Sequence, residues 1–129
     1  MKVVINTTYG GFSLREDLFE ELLKLKGIKY FRWRIGLYDD FTTISQEEYL
    51  RIKQEDANLP WSKRNLRTSE CYINPYDFYE DRTDPELIQI VERFNPVDIK
   101  VVEIPDDVEW YIEEDDGMEW VAEKHRTWQ

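Results

Sequence analysis

The start of the chain limits the fold most, because a strand, a glycine turn and a helix follow one another there without a gap. Lys2–Asn6 reads Lys-Val-Val-Ile-Asn, a β-branched run typical of a strand that is buried on both faces. The loop 7–12 contains two adjacent glycines. Ser13 and Glu16 then form a capping-box pattern, which predicts a helix over 13–26. These elements together predict a fold of mixed α and β structure.

The later periodicities predict two more helices, at 45–57 and 84–94, each opened by a good N-cap residue. A run of β-branched residues at 99–104 follows the third helix directly, and a helix that leads into a buried strand is half of a βαβ unit. We therefore expect strands 2–6 and 99–104 to be adjacent and parallel in a central sheet. Alternation of apolar and polar residues over 108–122, around an Asp-Gly turn, predicts a C-terminal β-hairpin.

The predicted class is α+β, arranged as a small α/β sandwich with about three helices. A chain of 129 residues is the usual length of one domain, and it contains no repeat, low-complexity tract or linker. We therefore expect a single domain over 1–129.

Charge and composition exclude several classes of function. The chain has 28 acidic and 17 basic residues, for a formal net charge of -11, which argues against binding to duplex DNA or to an anionic membrane. From Asp98 onward there are eleven acids and three bases. One cysteine, Cys71, forms no internal disulfide, and one histidine, His125, builds no metal site by itself. We expect a cytoplasmic protein without a metal or cofactor.

The glycine loop is the first candidate site. Glycines allow a close approach of the backbone to a ligand, and a helix N-terminus presents free amides that attract an anion. A cation at Arg15, in the predicted first helical turn, is easier to explain if something anionic binds there. The alternative is a tight turn that needs positive φ angles. The predicted phosphate-binding residues, with two cationic or titratable residues of the tail, are Asn6, Tyr9, Gly10, Gly11, Phe12, Ser13, Arg15, His125 and Arg126.

Aromatic rings interleaved with cations form the second candidate, because bases stack on rings and guanidinium groups pair with phosphates. The alternative is that the rings pack the core. The set comprises Tyr9, Phe12, Tyr30, Trp33, Trp61, Tyr72, Tyr76 and Tyr79, with Arg32, Arg34, Lys63, Arg64 and Arg67.

The acidic hairpin is the third candidate. Glu113–Asp116 lacks the ligand spacing of a calcium loop. It is interpreted either as a charged turn that blocks edge-to-edge pairing of strands, or as a surface that docks a basic partner.

Several blocks of the sequence resemble a family of small proteins from phages and prophages of Gram-positive bacteria. They are KVVINTTYGGFSL at 2–14, RTDPEL at 82–87, VEIPDDVEW at 102–110, and DG at 116–117 with EWVAEKHRTW at 119–128. Residues 28–81 take no part in the resemblance. It implies a protein that acts in the cytoplasm of the host cell. Small phage proteins of this kind often counter host defences, some by sequestering cyclic or ADP-ribose-type signals.

These observations lead to two main hypotheses. The first is a non-enzymatic phage-type protein that holds or sequesters a small phosphorylated, nucleotide-derived ligand, with hydrolysis of that ligand as a variant. The alternative is an acidic interaction protein that inhibits a host protein through its C-terminal hairpin. A chain of this size also allows a homo-oligomer with a site between subunits.

Overall fold

The computed structural model describes residues 1–124, which form two compact units: 1–26 together with 75–124, and Gly27–Asn74. The single domain expected over 1–129 stays a prediction. The strands are β1 (Lys2–Asn6), β2 (Phe31–Arg34), β3 (Asp39–Thr42), β4 (Ile99–Glu103), β5 (Trp110–Asp115) and β6 (Met118–Glu123). The helices are α1 (Glu16–Leu25), α2 (Gln46–Glu55), α3 (Leu66–Ser69) and α4 (Pro85–Phe94).

The class is α+β, as predicted, and β1 and β4 are neighbours. The predicted central sheet is wrong, since the described strands form three separate two-stranded sheets, β1–β4, β2–β3 and β5–β6. The prediction that β1 and β4 are parallel was wrong, because the two strands are antiparallel, with Val3 opposite Val102 and Ile5 opposite Lys100. The crossover rule behind that prediction applies to one connection between two parallel strands. The chain between β1 and β4 contains α1, the whole of Gly27–Asn74 and α4, so it is not a single crossover connection. The rule therefore does not predict the direction of β4.

The first unit is held together by a core between this strand pair and two helices. Val3 and Val4 are consecutive and both 0% exposed, so β1 is buried on both faces as its sequence predicted. Helix α4 contacts α1, β1 and β4. The largest buried apolar side chains of this core are Phe19, Leu22, Leu23, Leu87 and Ile99.

The predicted third helix and the hairpin are both confirmed. Asp84 caps α4 by accepting a hydrogen bond from the Glu86 N–H at 3.0 Å. Strands β5 and β6 pair antiparallel around Asp116 and Gly117, whose φ angles are 49° and 87°. Positive φ at both central residues is the requirement of the tight hairpin turn that an Asp-Gly pair predicts.

The second unit contains the β2–β3 hairpin, α2 and the single helical turn α3, which the sequence did not predict. Ser45 caps α2 as expected, by accepting a hydrogen bond from the Glu48 N–H at 3.2 Å. Phe41 and Tyr49 are buried aromatic residues of this unit, and the ring of Trp33 packs against that of Tyr49 with 4.9 Å between the ring centroids. Among the helices of residues 1–124, none has the length and apolar character needed to span a bilayer.

Candidate functional site

The residues of the predicted phosphate loop differ widely in exposure. Asn6 is 1% exposed and Phe12 is also buried, whereas the side chain of Tyr9 is 66% exposed. The other predicted residues within 1–124 are partly or fully exposed, namely Gly10, Gly11, Ser13 and Arg15. The predictions for His125 and Arg126 fall outside the described residues.

Main-chain donors of this loop are already bonded within the protein. The Asn6 N–H donates to Glu119 Oε1 at 2.8 Å, and the Thr7 N–H donates to the Asp98 carbonyl at 2.8 Å. The Gly10 N–H donates to the Asp116 carbonyl at 2.9 Å. The glycine loop is therefore joined to the turn of the β5–β6 hairpin, and these amides are not free for a ligand.

The side chain of Asn6 strengthens the same junction. Its Nδ2 donates to the carbonyls of Thr8 and Gly117, both at 2.8 Å. Gly117 also approaches Gly11 so closely that a Cβ at Gly117 would collide with the backbone nitrogen and Cα of Gly11. The two glycine-containing turns therefore pack backbone against backbone.

Helix α1 begins at Glu16, three residues later than predicted. Arg15 is its N-cap and makes no side-chain cap hydrogen bond, so the predicted capping box of Ser13 and Glu16 is absent. The long-range packing of this segment differs from what the local pattern predicts, since Leu14 is buried and its N–H donates to the hydroxyl of Tyr79 at 3.2 Å. Burial raises the pKa of Tyr79 to about 12, so the hydroxyl stays protonated at neutral pH.

A buried ion pair lies beneath the junction. Arg82 forms a two-pronged contact with Glu119, at 2.6 Å from Nη1 to Oε1 and 3.0 Å from Nη2 to Oε2. Arg82 also covers the ring of Phe12, with its guanidinium carbon 4.0 Å from the ring centroid. The Arg82 carbonyl accepts from the Val4 N–H at 2.8 Å, on the edge of β1 away from β4. The pair thereby fixes the hairpin to β1.

The sequence reasoning did not identify Arg82 or Glu119 as a structural pair. The alternation of β6 gave no signal for the pair, because it places Met118, Trp120 and Ala122 on one face and Glu119 with Glu123 on the other, and the charged face would be assigned to solvent. Only the burial of Glu119 shows that its carboxylate needs a buried partner.

The opposite face of the hairpin points outward and holds a carboxylate between two aromatic rings. Tyr111, Glu113 and Trp120 share this face, because Glu113 is two residues from Tyr111 and directly opposite Trp120. The Tyr111 hydroxyl donates to Glu113 Oε1 at 2.7 Å, and Trp120 Nε1–H donates to Glu113 Oε2 at 2.9 Å. The hydrogen bond to Glu113 raises the pKa of the Tyr111 hydroxyl. We call these three residues the hairpin triad.

Exposed acids lie along both faces of the hairpin. Asp115 shares the face of the triad, whereas Glu114 and Glu123 lie on the opposite face with Glu119. Asp116 is exposed in the turn, and Glu109 is exposed at the base of the hairpin. The acidic lobe predicted from the sequence is therefore an exposed surface on a hairpin that the Arg82–Glu119 pair anchors.

A cleft of about 550 Å³ lies on the inward side of β5. Ile112 and Glu114 line it from the strand, and Tyr76 and Glu80 line it from the segment that precedes Arg82. Tyr76 is 65% exposed. At the floor of the cleft, Arg82 is already neutralised by Glu119.

The aromatic and cationic residues of the second candidate divide between the two units. In Gly27–Asn74, two of the cations are paired with acids: Arg32 Nε donates to Asp39 at 2.9 Å, and Arg67 Nε donates to Asp56 at 3.1 Å. The hydrogen bond from Arg67 also lowers the pKa of Asp56. These residues are therefore not gathered into one site, and part of the set is used for packing and ion pairing, whereas Tyr9, Trp61 and Tyr76 stay exposed.

No family model, curated protein or solved structure matches the chain. The likeness to phage proteins stays a prediction. In the part of the chain that the structure describes, no three histidine, cysteine or acidic side chains are grouped in a way that would hold a metal ion.

Proposed function

We propose that this protein is a non-catalytic binding module that docks a basic partner protein on its acidic C-terminal hairpin. The observation that supports the proposal is the hairpin triad, in which Tyr111 and Trp120 hold the half-buried carboxylate of Glu113 in one position. If the resemblance to phage proteins holds, the partner is a host protein and docking inhibits it.

The triad has the chemistry of an interface hot spot. Tyrosine and tryptophan are enriched at such positions, since they bury a large area while keeping one polar group for hydrogen bonding. Glu113 uses one lone pair on each oxygen for the aromatic donors, and the remaining lone pairs suit the planar fork of an arginine. The surrounding acids add long-range attraction for a basic surface.

Preorganisation favours docking over the alternative of a merely solvated turn. The hairpin is fixed to the first unit by the Arg82–Glu119 pair and by the hydrogen bond from Gly10 to Asp116. A partner that binds a fixed surface loses less conformational entropy than one that must order a loose turn.

The test is to capture a partner from a lysate of the bacterial host, purify it and measure its affinity by calorimetry. We expect Trp120→Ala and Glu113→Gln to weaken binding at least about tenfold, since both remove part of a central contact. The matched control is Glu47→Gln, which removes one exposed acid from the first turn of α2 in the other unit. It is expected to leave the affinity nearly unchanged. Equal losses in all three variants would show non-specific attraction and contradict the proposal.

The small phosphorylated ligand stays a second hypothesis with less structural support. The Gly10 N–H is bonded to Asp116, and Glu16 and Asp17 already place negative charge in the first turn of α1. We therefore expect calorimetry to detect no binding of cyclic nucleotides or ADP-ribose compounds at high micromolar concentration. Binding that is lost in Tyr9→Ala and Arg15→Ala would restore the phosphate loop as the functional site.

A further inference from the structure

Strand β5 has an unpaired edge. The Lys124 N–H donates to the Glu109 carbonyl at 2.9 Å, and this bond fixes which β5 residues face β6. Because hydrogen-bonded and non-hydrogen-bonded pairs alternate in an antiparallel ladder, Trp110, Ile112 and Glu114 direct their N–H and C=O groups away from β6. Among residues 1–124, β6 is the only strand that pairs with β5. Three donors and three acceptors therefore line this edge in a row.

The cleft beside this edge selects for positive charge. Glu114 and Glu80 are exposed carboxylates on its two sides, and neither forms an ion pair or a side-chain hydrogen bond with another of residues 1–124. The one cation in the lining, Arg82, is already paired with Glu119. The exposed ring of Tyr76 adds a face on which an alkyl stem or a guanidinium group can stack.

The same charges oppose pairing between two copies of the chain. Edge-to-edge association of two β5 strands would gather Glu113, Glu114 and Asp115 of both copies along one strand pair. Like charges across a strand pair destabilise it. Charge repulsion therefore disfavours pairing of β5 with β5 of a second copy and favours pairing with a strand that carries basic side chains.

We infer that the partner binds as an extended basic segment, which adds a strand to β5 and places an arginine or lysine side chain in the cleft between Tyr76 and the carboxylates of Glu80 and Glu114. The backbone hydrogen bonds of the added strand supply affinity, and the cleft supplies the preference for a cation. This inference rests on the proposed docking function and names the form that the bound segment takes.

The experiment uses a synthetic probe, an acetylated and amidated peptide of alternating arginine and valine, measured by calorimetry against the full chain. Two altered probes separate the contributions: one replaces arginine by glutamate, and the other keeps arginine but is N-methylated at alternate residues, which removes the donors of one edge. We expect the arginine probe to bind, the glutamate probe not to bind, and the N-methylated probe to bind at least about tenfold more weakly.

Matched protein variants test the edge itself. Glu114→Pro removes the charge and the outward N–H, whereas Glu114→Gln removes only the charge. Since the Glu114 N–H points away from β6, proline leaves the hairpin ladder intact, which circular dichroism and thermal melting verify. We expect Glu114→Pro to weaken binding of the arginine probe at least about fivefold beyond the loss in Glu114→Gln. Bound peptide should also slow hydrogen exchange at the Ile112 and Glu114 amides.

Three results would overturn strand addition: no binding of the arginine probe, equal binding of its N-methylated form, or equal losses in Glu114→Pro and Glu114→Gln. If the captured partner still depends on Trp120 and Glu113, docking at the hairpin face stands and only the strand inference fails. If that dependence is also missing, both fail.

Discussion

Glu119→Ala is expected to lower the free energy of unfolding by about 3–5 kcal/mol, because removal of one partner leaves a buried charge without compensation. The Arg82 side chain is 16% exposed, and both of its hydrogen bonds to Glu119 would be lost. The Asn6 N–H, which donates to Glu119 at 2.8 Å, would also lose its acceptor. For a chain of this length the loss corresponds to a fall in Tm of roughly 10–20 °C, measurable by calorimetry or circular dichroism.

Two further variants give this prediction its controls. The double variant Arg82→Leu/Glu119→Leu should recover part of the lost stability, since it removes the unpaired charge of Arg82 but still leaves the Asn6 N–H without its acceptor. Glu92→Ala breaks the exposed contact with Lys2 at 2.9 Å and should leave Tm nearly unchanged. A Glu119→Ala protein as stable as the Glu92→Ala protein would show that the buried pair does not anchor the hairpin.

The sequence predicted those elements whose cause is local. The β-branched run of β1, the Asp84 cap of α4 and the Asp-Gly turn of the hairpin each depend on residues next to one another in the chain, and the structure has all three. The predicted capping box at Ser13 is also local, yet it was wrong. Its residues pack against distant parts of the chain, with Leu14 buried and bonded to Tyr79, and such packing is not visible in a local pattern.

Features that depend on distant pairing could not be obtained in the same way. The direction of β4 relative to β1 depends on the path of the intervening chain, and the hydrophobic periodicity of the sequence does not reveal that path. The candidate site shows the same division. The glycine loop was visible as a turn between a strand and a helix, whereas its bonds to the hairpin join residues more than a hundred positions apart, as between Asn6 and Gly117. The sequence identified an acidic hairpin, and the pairing register alone shows which of its residues face outward.

Gly117→Ala provides the sharpest test of the junction between the two turns. Gly117 has φ 87°, and an added Cβ would meet the backbone of Gly11, which cannot move aside as the end of a flexible side chain can. We expect the free energy of unfolding to fall by about 2–4 kcal/mol, because alanine would adopt a left-handed conformation and would also be overpacked. Denaturant titration measures this fall. Gly27→Ala is the matched control, since φ there is 71° and nothing lies within 4 Å of an added Cβ.

The difference between the two glycine variants isolates the contact between the turns, because both introduce alanine at positive φ. We expect Gly117→Ala to cost at least about 1 kcal/mol more than Gly27→Ala. Displacing the hairpin turn should also release the Gly10 N–H from the Asp116 carbonyl, so that this amide exchanges faster with solvent. Equal costs, with Gly10 exchange unchanged, would mean that the glycine loop is not closed by the hairpin. Its amides would then be available to an anion, and this result would favour the phosphorylated-ligand hypothesis over the docking proposal.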